Sequence, residues 1–285
     1  PVHRPRVWPA RHPHTGGFRP PRPACRPFGG PLPAPHNRLK AALAAADRPL
    51  IGLWMAMANP YAAEILGECG YDWLVIDGEH APNTLTTVMA QLQALAASPA
   101  APVVRVPVGE PWVIKQMLDI GAQTILVPMV HSAEQAAGMV RAVRYPPQGI
   151  RGVGASFARA ARFGTIPDYI ATADDQIALI VQVESAAGID GIDAIAATDG
   201  VDGVFIGPSD LAADMGYPGN SAAAPVQDAI RHGLARIRAA GKAAGILATE
   251  DAAARRYLDW GATFIAVGGD VGLLRAAAQG LRARF

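Results

Sequence analysis

With 285 residues, 51% of them hydrophobic, the chain can bury a large core, and roughly 250 residues is the usual length of one (β/α)8 barrel. The net charge of +1 conceals an asymmetry: residues 1–36 hold six arginines, four histidines and no acid, so the pI of 8.3 belongs to that stretch. The mildly acidic remainder offers no basic face to nucleic acid or a membrane, and two cysteines, Cys25 and Cys69, without CxxC or Cys/His spacing, argue against a disulfide framework or a thiolate metal site.

No apolar run is long enough to span a bilayer, and the N-terminal stretch lacks the apolar segment of a secretory signal. A cytoplasmic enzyme is the expectation. Residues 1–35 contain eleven prolines and little aliphatic content, too little apolar surface to offset chain ordering. Residues 1–36 are therefore expected to form a disordered extension, either foreign to the folded unit or a basic docking arm, ahead of a single domain at 37–285.

From Asn37, a candidate N-cap, residues 39–46 have helical character until Pro49 ends it. Eight strand-like runs follow, at residues 51–57, 73–77, 102–106, 124–128, 177–184, 201–206, 243–247 and 263–267. Helical periodicity fills intervening segments at 61–69, 85–97, 112–120, 133–143, 226–240 and 252–260. Gly70, Gly121, Gly241 and Gly261 stand where a left-handed C-terminal cap belongs. Eight strands alternating with helices favour a TIM (β/α)8 barrel over an open doubly wound sheet. A dinucleotide sheet would carry a glycine-rich turn after its first strand; Gly52-Leu53-Trp54-Met55 is no such turn, and Gly152-Val153-Gly154 lacks the third glycine, so it reads as a loop and no nucleotide is expected.

Three acidic signatures close apolar strands: Asp77-Gly78-Glu79-His80, Val183-Glu184-Ser185 and Gly207-Pro208-Ser209-Asp210. A closed barrel gathers all strand C-termini on one face, where these would join Trp54, Arg105 and Gln182. Buried charges need partners or a metal. Glu184 and Asp210 offer oxygen alone, which suits Mg²⁺, Mn²⁺ or Co²⁺; a structural ion pair with Arg105 is the alternative. His80, beside Asp77 and Glu79, is the candidate base, whereas His131 reads as structural and His232 lies on a surface helix. The three lysines, Lys40, Lys115 and Lys242, all fall away from that face, so an imine mechanism is not expected and a divalent cation should be the electron sink.

The stretches at 51–54 (IGLW), 71–83 (YDWLVIDGEHAPN), 114–123 (IKQMLDIGAQ), 144–156 (RYPPQGIRGVGAS), 181–185 (VQVES) and 203–211 (GVFIGPSDL) resemble the HpcH/HpaI aldolases over residues 37–285. The resemblance implies a class II, pyruvate-dependent aldolase in a TIM barrel. It makes His80 the base, Asp119 the acid that raises its basicity, and Arg105 the stabiliser of the enolate. Gln182 becomes a substrate ligand, Glu184 and Asp210 the metal ligands, and Ser209, through its main-chain N–H next to Asp210, a holder of the substrate carboxylate. Trp54 and Asp77 become wall or supporting residues. Small-molecule 2-oxo acid and aldehyde substrates are implied, together with a homohexamer built as a dimer of trimers.

The expected reaction cleaves 4-hydroxy-2-oxoheptanedioate to pyruvate and succinate semialdehyde, in aromatic (homoprotocatechuate) catabolism. The loop Val106-Pro107-Val108-Gly109 departs from the family pattern and bears on the aldehyde acceptor. A rival enzyme reading is cleavage of 2-keto-3-deoxy-L-rhamnonate; a degenerate barrel that merely binds a 2-oxo acid is the non-enzyme reading.

Overall fold

The computed structural model describes residues 33–45 and 47–285. Residues 1–32 of the expected extension lie outside the described residues. Its last residues do not stand apart from the domain: Ala34 is buried and its N–H donates to Thr172 Oγ1 at 2.8 Å.

Helix α1 (Arg38–Ala45) leads into β1 (Leu50–Met55), α2 (Pro60–Gly67), β2 (Trp73–Asp77), α3 (Leu85–Ala94), β3 (Ala101–Arg105), α4 (Pro111–Asp119), β4 (Thr124–Val127) and α5 (Ala133–Val143). The second half runs α6 (Tyr169–Thr172), β5 (Ala178–Val183), α7 (Ala186–Asp190), α8 (Ile192–Ala197), β6 (Gly203–Ile206), α9 (Pro208–Asp214), α10 (Ala224–Ala239), β7 (Ala243–Leu247), α11 (Asp251–Asp259), β8 (Phe264–Gly269) and α12 (Asp270–Arg282). Each strand pairs in parallel with its sequence neighbours and β8 returns to β1, closing an eight-stranded barrel.

Asn37 caps α1 as expected, its Oδ1 accepting the Lys40 N–H at 3.1 Å. The four C-terminal cap glycines all take positive φ, from 72° to 106°. Side-chain alternation then sorts two layers. Leu53, Met55, Leu74, Ile76, Val104, Val181 and Ile246 point outward to the helices, in the large apolar cluster. Leu50, Trp54, Trp73, Val75, Val103, Ile180, Phe205 and Phe264 point inward, where Leu39 and Leu43 of α1 join them. Trp73 stacks on Phe264 with ring centroids 3.8 Å apart, and the inward Gly52 leaves the space that the Trp73 indole fills. The inward parity, carried to the strand C-termini, aims Asp77, Arg105, Gln182 and Glu184 at the mouth of the barrel.

Candidate active site

Asp77 and Arg105 are register partners at the ends of β2 and β3. The guanidinium donates to both carboxylate oxygens, Nε to Oδ1 at 2.9 Å and Nη2 to Oδ2 at 2.6 Å. Trp54 Nε1 donates to Oδ2 at 3.1 Å, and the Trp54 ring lies under the guanidinium at 4.8 Å. Asp77 Oδ1 also accepts the N–H groups of Glu79 and His80, which shapes the loop after β2. Burial pushes the Asp77 carboxyl upward, but the hydrogen bond and charge of Arg105, with the Glu79 N–H and the indole, outweigh it and hold the group below its ordinary value.

Glu79 answers differently. Its Oε2 approaches Arg105 Nη1 to 2.7 Å, off the hydrogen-bonding axis. Burial raises its pKa, and the attraction of Arg105 and His80 does not cancel that effect. One guanidinium thus faces two carboxylates whose proton affinities are driven apart. The exposed His80 has Nε2 3.9 Å from Glu79 Oε2.

Across the mouth, Glu184 follows β5 with 2% exposure. Met129 N–H donates to its Oε1 at 2.8 Å, and Gln182 Nε2 to its Oε2 at 2.5 Å. Burial raises the Glu184 pKa, with repulsion from Asp210 and Glu79 adding to the shift. Gln182 Oε1 is buried without a hydrogen-bond partner. Gly207 has no room for a side chain, because a β-carbon there would overlap Glu184 Oε2. Ser209 and Asp210 follow in the first turn of α9. Trp54, His80, Arg105, Gln182, Glu184, Gly207, Ser209 and Asp210 share a cavity of about 300 Å³ floored by Phe205 and Leu247.

Among the described residues no group of three His, Cys, Asp or Glu side chains is poised to hold a metal ion. The donors present fit a hard cation nonetheless: the carboxylates of Glu184 and Asp210 border one cavity, with the remaining positions left to water or substrate. The three lysines lie elsewhere: Lys40 Nζ donates to Ile177 O, Lys242 Nζ donates to Val201 O, and Lys115 sits in α4. No helix among the described residues is long and apolar enough to cross a membrane.

Asp119 does not join the other candidates within the chain. It ends α4, and the antiparallel return of that helix carries it to the N-terminal end of the barrel, opposite His80. Its partner there is Arg151 Nη2 at 2.9 Å, and the carboxylate beside His80 within the chain is Glu79, one of the two acids that the sequence placed next to His80 as able to raise its basicity. The Met129 N–H on Glu184 was also missed, since a main-chain donor leaves no residue-type signal. A larger cavity, about 480 Å³, opens at that same opposite end and is lined by Arg38, Arg159 and Arg162 with no acid among its described lining.

Residues 50–277 match the HpcH/HpaI aldolase/citrate lyase family. The chain belongs to that family. The hydroxypyruvate/pyruvate aldolase of Roseovarius nubinhibens is 61% identical over 89% of this chain and 98% of its own length. The 5-keto-4-deoxy-D-glucarate aldolase of Salmonella paratyphi C is 56% identical over 87% of this chain and 96% of its own. An HpcH/HpaI aldolase/citrate lyase family protein from Burkholderia cenocepacia superposes with a TM-score of 0.84 at 48% identity, covering 87% of this chain and 98% of that one. As an HpcH/HpaI family member the chain is an aldolase-type lyase acting on small molecules.

Proposed function

We propose that this HpcH/HpaI protein is a class II aldolase that reversibly cleaves a 4-hydroxy-2-oxo acid to a pyruvate-type product and an aldehyde. The observation that carries the reading is the convergence, at one barrel mouth, of a clamped guanidinium, a histidine and the Glu184–Gln182 oxygen pair. Glu184 and Asp210 would hold Mg²⁺, Mn²⁺ or Co²⁺, which supplies Lewis acidity at the 2-oxo group. Gln182, through its free Oε1, and the Ser209 N–H orient the substrate.

His80 takes the proton from the 4-hydroxyl. The bond between carbons 3 and 4 then breaks, the aldehyde leaves, and the electron pair moves into the 2-oxo group as an enolate. Arg105 spends two of its five N–H groups on Asp77, while its Nη1 also lies against Glu79. N–H groups left on its two terminal nitrogens serve the developing negative charge. Protonation at carbon 3 completes the product. Asp119, remote from His80 within its own protomer, acts on the His80 of a second copy, which accords with assembly as a homohexamer. Exposed Phe157, Val271, Leu273 and Leu274 supply apolar surface for that assembly.

The relatives named for hydroxypyruvate and for 5-keto-4-deoxy-D-glucarate favour a short, hydroxylated substrate over the expected 4-hydroxy-2-oxoheptanedioate. The test is 2-oxo acid release by chelator-stripped protein, with and without Mg²⁺, Mn²⁺ or Co²⁺. Substrates are 5-keto-4-deoxy-D-glucarate, 4-hydroxy-2-oxoheptanedioate and 2-keto-3-deoxy-L-rhamnonate, with hydroxypyruvate and a hydroxyaldehyde in the synthetic direction. Metal-dependent turnover of the hydroxylated compounds supports the reading. Preference for the heptanedioate returns the earlier substrate, and turnover indifferent to metal sinks the mechanism.

A further inference from the structure

We propose that His131 is a positioning residue for Glu184, acting through Ser185 and the loop that follows β4. The inference rests on the reading of Glu184 as a ligand of a divalent cation. Met129, in that loop, has a φ of 57° and is half exposed. A non-glycine residue in this left-handed region is strained and persists only when its surroundings enforce it. What the conformation achieves is an N–H aimed at Glu184 Oε1 at 2.8 Å. That bond occupies one oxygen of the carboxylate and leaves Oε2 with Gln182 at the cavity.

Three hydrogen bonds fasten the residues after Met129. Val130 N–H donates to Gln182 O at 2.9 Å, continuing the β4–β5 ladder. His131 Nδ1 then meets Ser185 Oγ at 2.7 Å, and His131 N–H donates to Gln135 Oε1 at 2.7 Å. Ser185 needs no histidine to serve as N-cap of α7, because its Oγ already accepts the Gly188 N–H at 3.1 Å. The His131 contact is additional, and it ties the strained loop to the residue next to Glu184. A hydroxyl can donate or accept, so the tie survives either imidazole tautomer. Released from it, Met129 relaxes, Oε1 loses its N–H, and the buried carboxylate turns away from the geometry a cation requires.

The experiment measures Mn²⁺ binding to the full chain by EPR of the free ion and by calorimetry, for wild type, H131F, H131N, S185A, the H131F/S185A double variant and E184Q. Removing a group that orients a metal ligand typically weakens affinity by roughly 10- to 100-fold; the lower end is expected for H131F and S185A. The double variant should be no weaker than either single one, and H131N, whose amide reaches Ser185, should recover most of the affinity. Unchanged Mn²⁺ affinity in H131F, or additive losses in the double variant, overturns the latch. If H131F does not fold, S185A with wild-type affinity overturns it equally. Wild-type protein that binds no Mn²⁺, or E184Q that binds it as tightly, overturns the reading of Glu184 and the latch with it.

Discussion

Asp77 and Arg105, register partners on adjacent strands, form a buried two-point ion pair in which the carboxylate also takes the Trp54 indole N–H. Replacing one partner leaves a buried charge without its counterion, at a cost of roughly 3–5 kcal/mol; Glu79 beside the same guanidinium should keep D77N near the lower figure. The pH dependence follows from the depressed Asp77 pKa. Because the folded value lies below the unfolded one, about 3.9, the stabilisation is present above that pH and is lost as pH falls through the folded value. Acid unfolding followed by circular dichroism should therefore be less steep in D77N. A wild-type acid limb in D77N would contradict the assignment.

Arg105 should matter more to turnover than to substrate binding. R105A is expected to lower kcat by about 10² to 10³, as loss of an oxyanion donor does. R105K keeps the charge but not the planar fork that reaches Asp77 and substrate together, so it should recover only a small part. Steady-state kinetics on both variants decide the matter: near-normal kcat in R105A removes Arg105 from the chemistry.

The strands were legible because each is an apolar run of strand length, and several end in a polar signature; 73–77 and 243–247 emerge with the bounds that the sequence suggested. Period-two alternation then fixes which side chains enter the barrel, and Trp54, Arg105, Gln182 and Glu184 follow from it. What pattern could not give is distance through space between elements. The Asp119 motif reads the same whichever end of the barrel it occupies, and the return of α4 decides that end. The short helices α7 and α8 went unseen because five or six residues carry too little periodicity; α12 has a clear apolar face and was simply not assigned as a helix.

Glu184→Gln should abolish metal-dependent activity, since it neutralises the buried carboxylate proposed to hold the cation while keeping the Met129 and Gln182 contacts sterically possible. G207A should resemble it by a different route, the new β-carbon displacing Glu184 Oε2. Activity titrated with Mn²⁺ after chelation checks both. A normal titration curve in E184Q would take Glu184 out of the metal site.

Gly52→Ala tests the barrel interior independently of the chemistry. The added methyl would overlap the Trp73 indole, which is fully buried and stacked on Phe264. Overpacking of this kind typically costs 1–3 kcal/mol, roughly, and thermal unfolding should report it. The double variant carrying W73F as well should recover part of the loss, since the smaller ring vacates the space; no recovery would mean that the strain lies elsewhere.

Asp119 provides the test of assembly at the site. Arg151, fully buried, holds one of its oxygens, and the carboxylate stays 27% exposed at the end of the barrel opposite its own His80. A carboxylate held in place and open to solvent can serve a neighbouring copy but not its own protomer. D119N and H80A should each be nearly inactive alone. Co-expressed, they should form mixed oligomers in which some sites pair the intact His80 of a D119N subunit with the intact Asp119 of an H80A subunit, so activity returns. Mixed oligomers that stay inactive, or D119N protein with normal turnover, would leave Asp119 as the partner of Arg151 and nothing more.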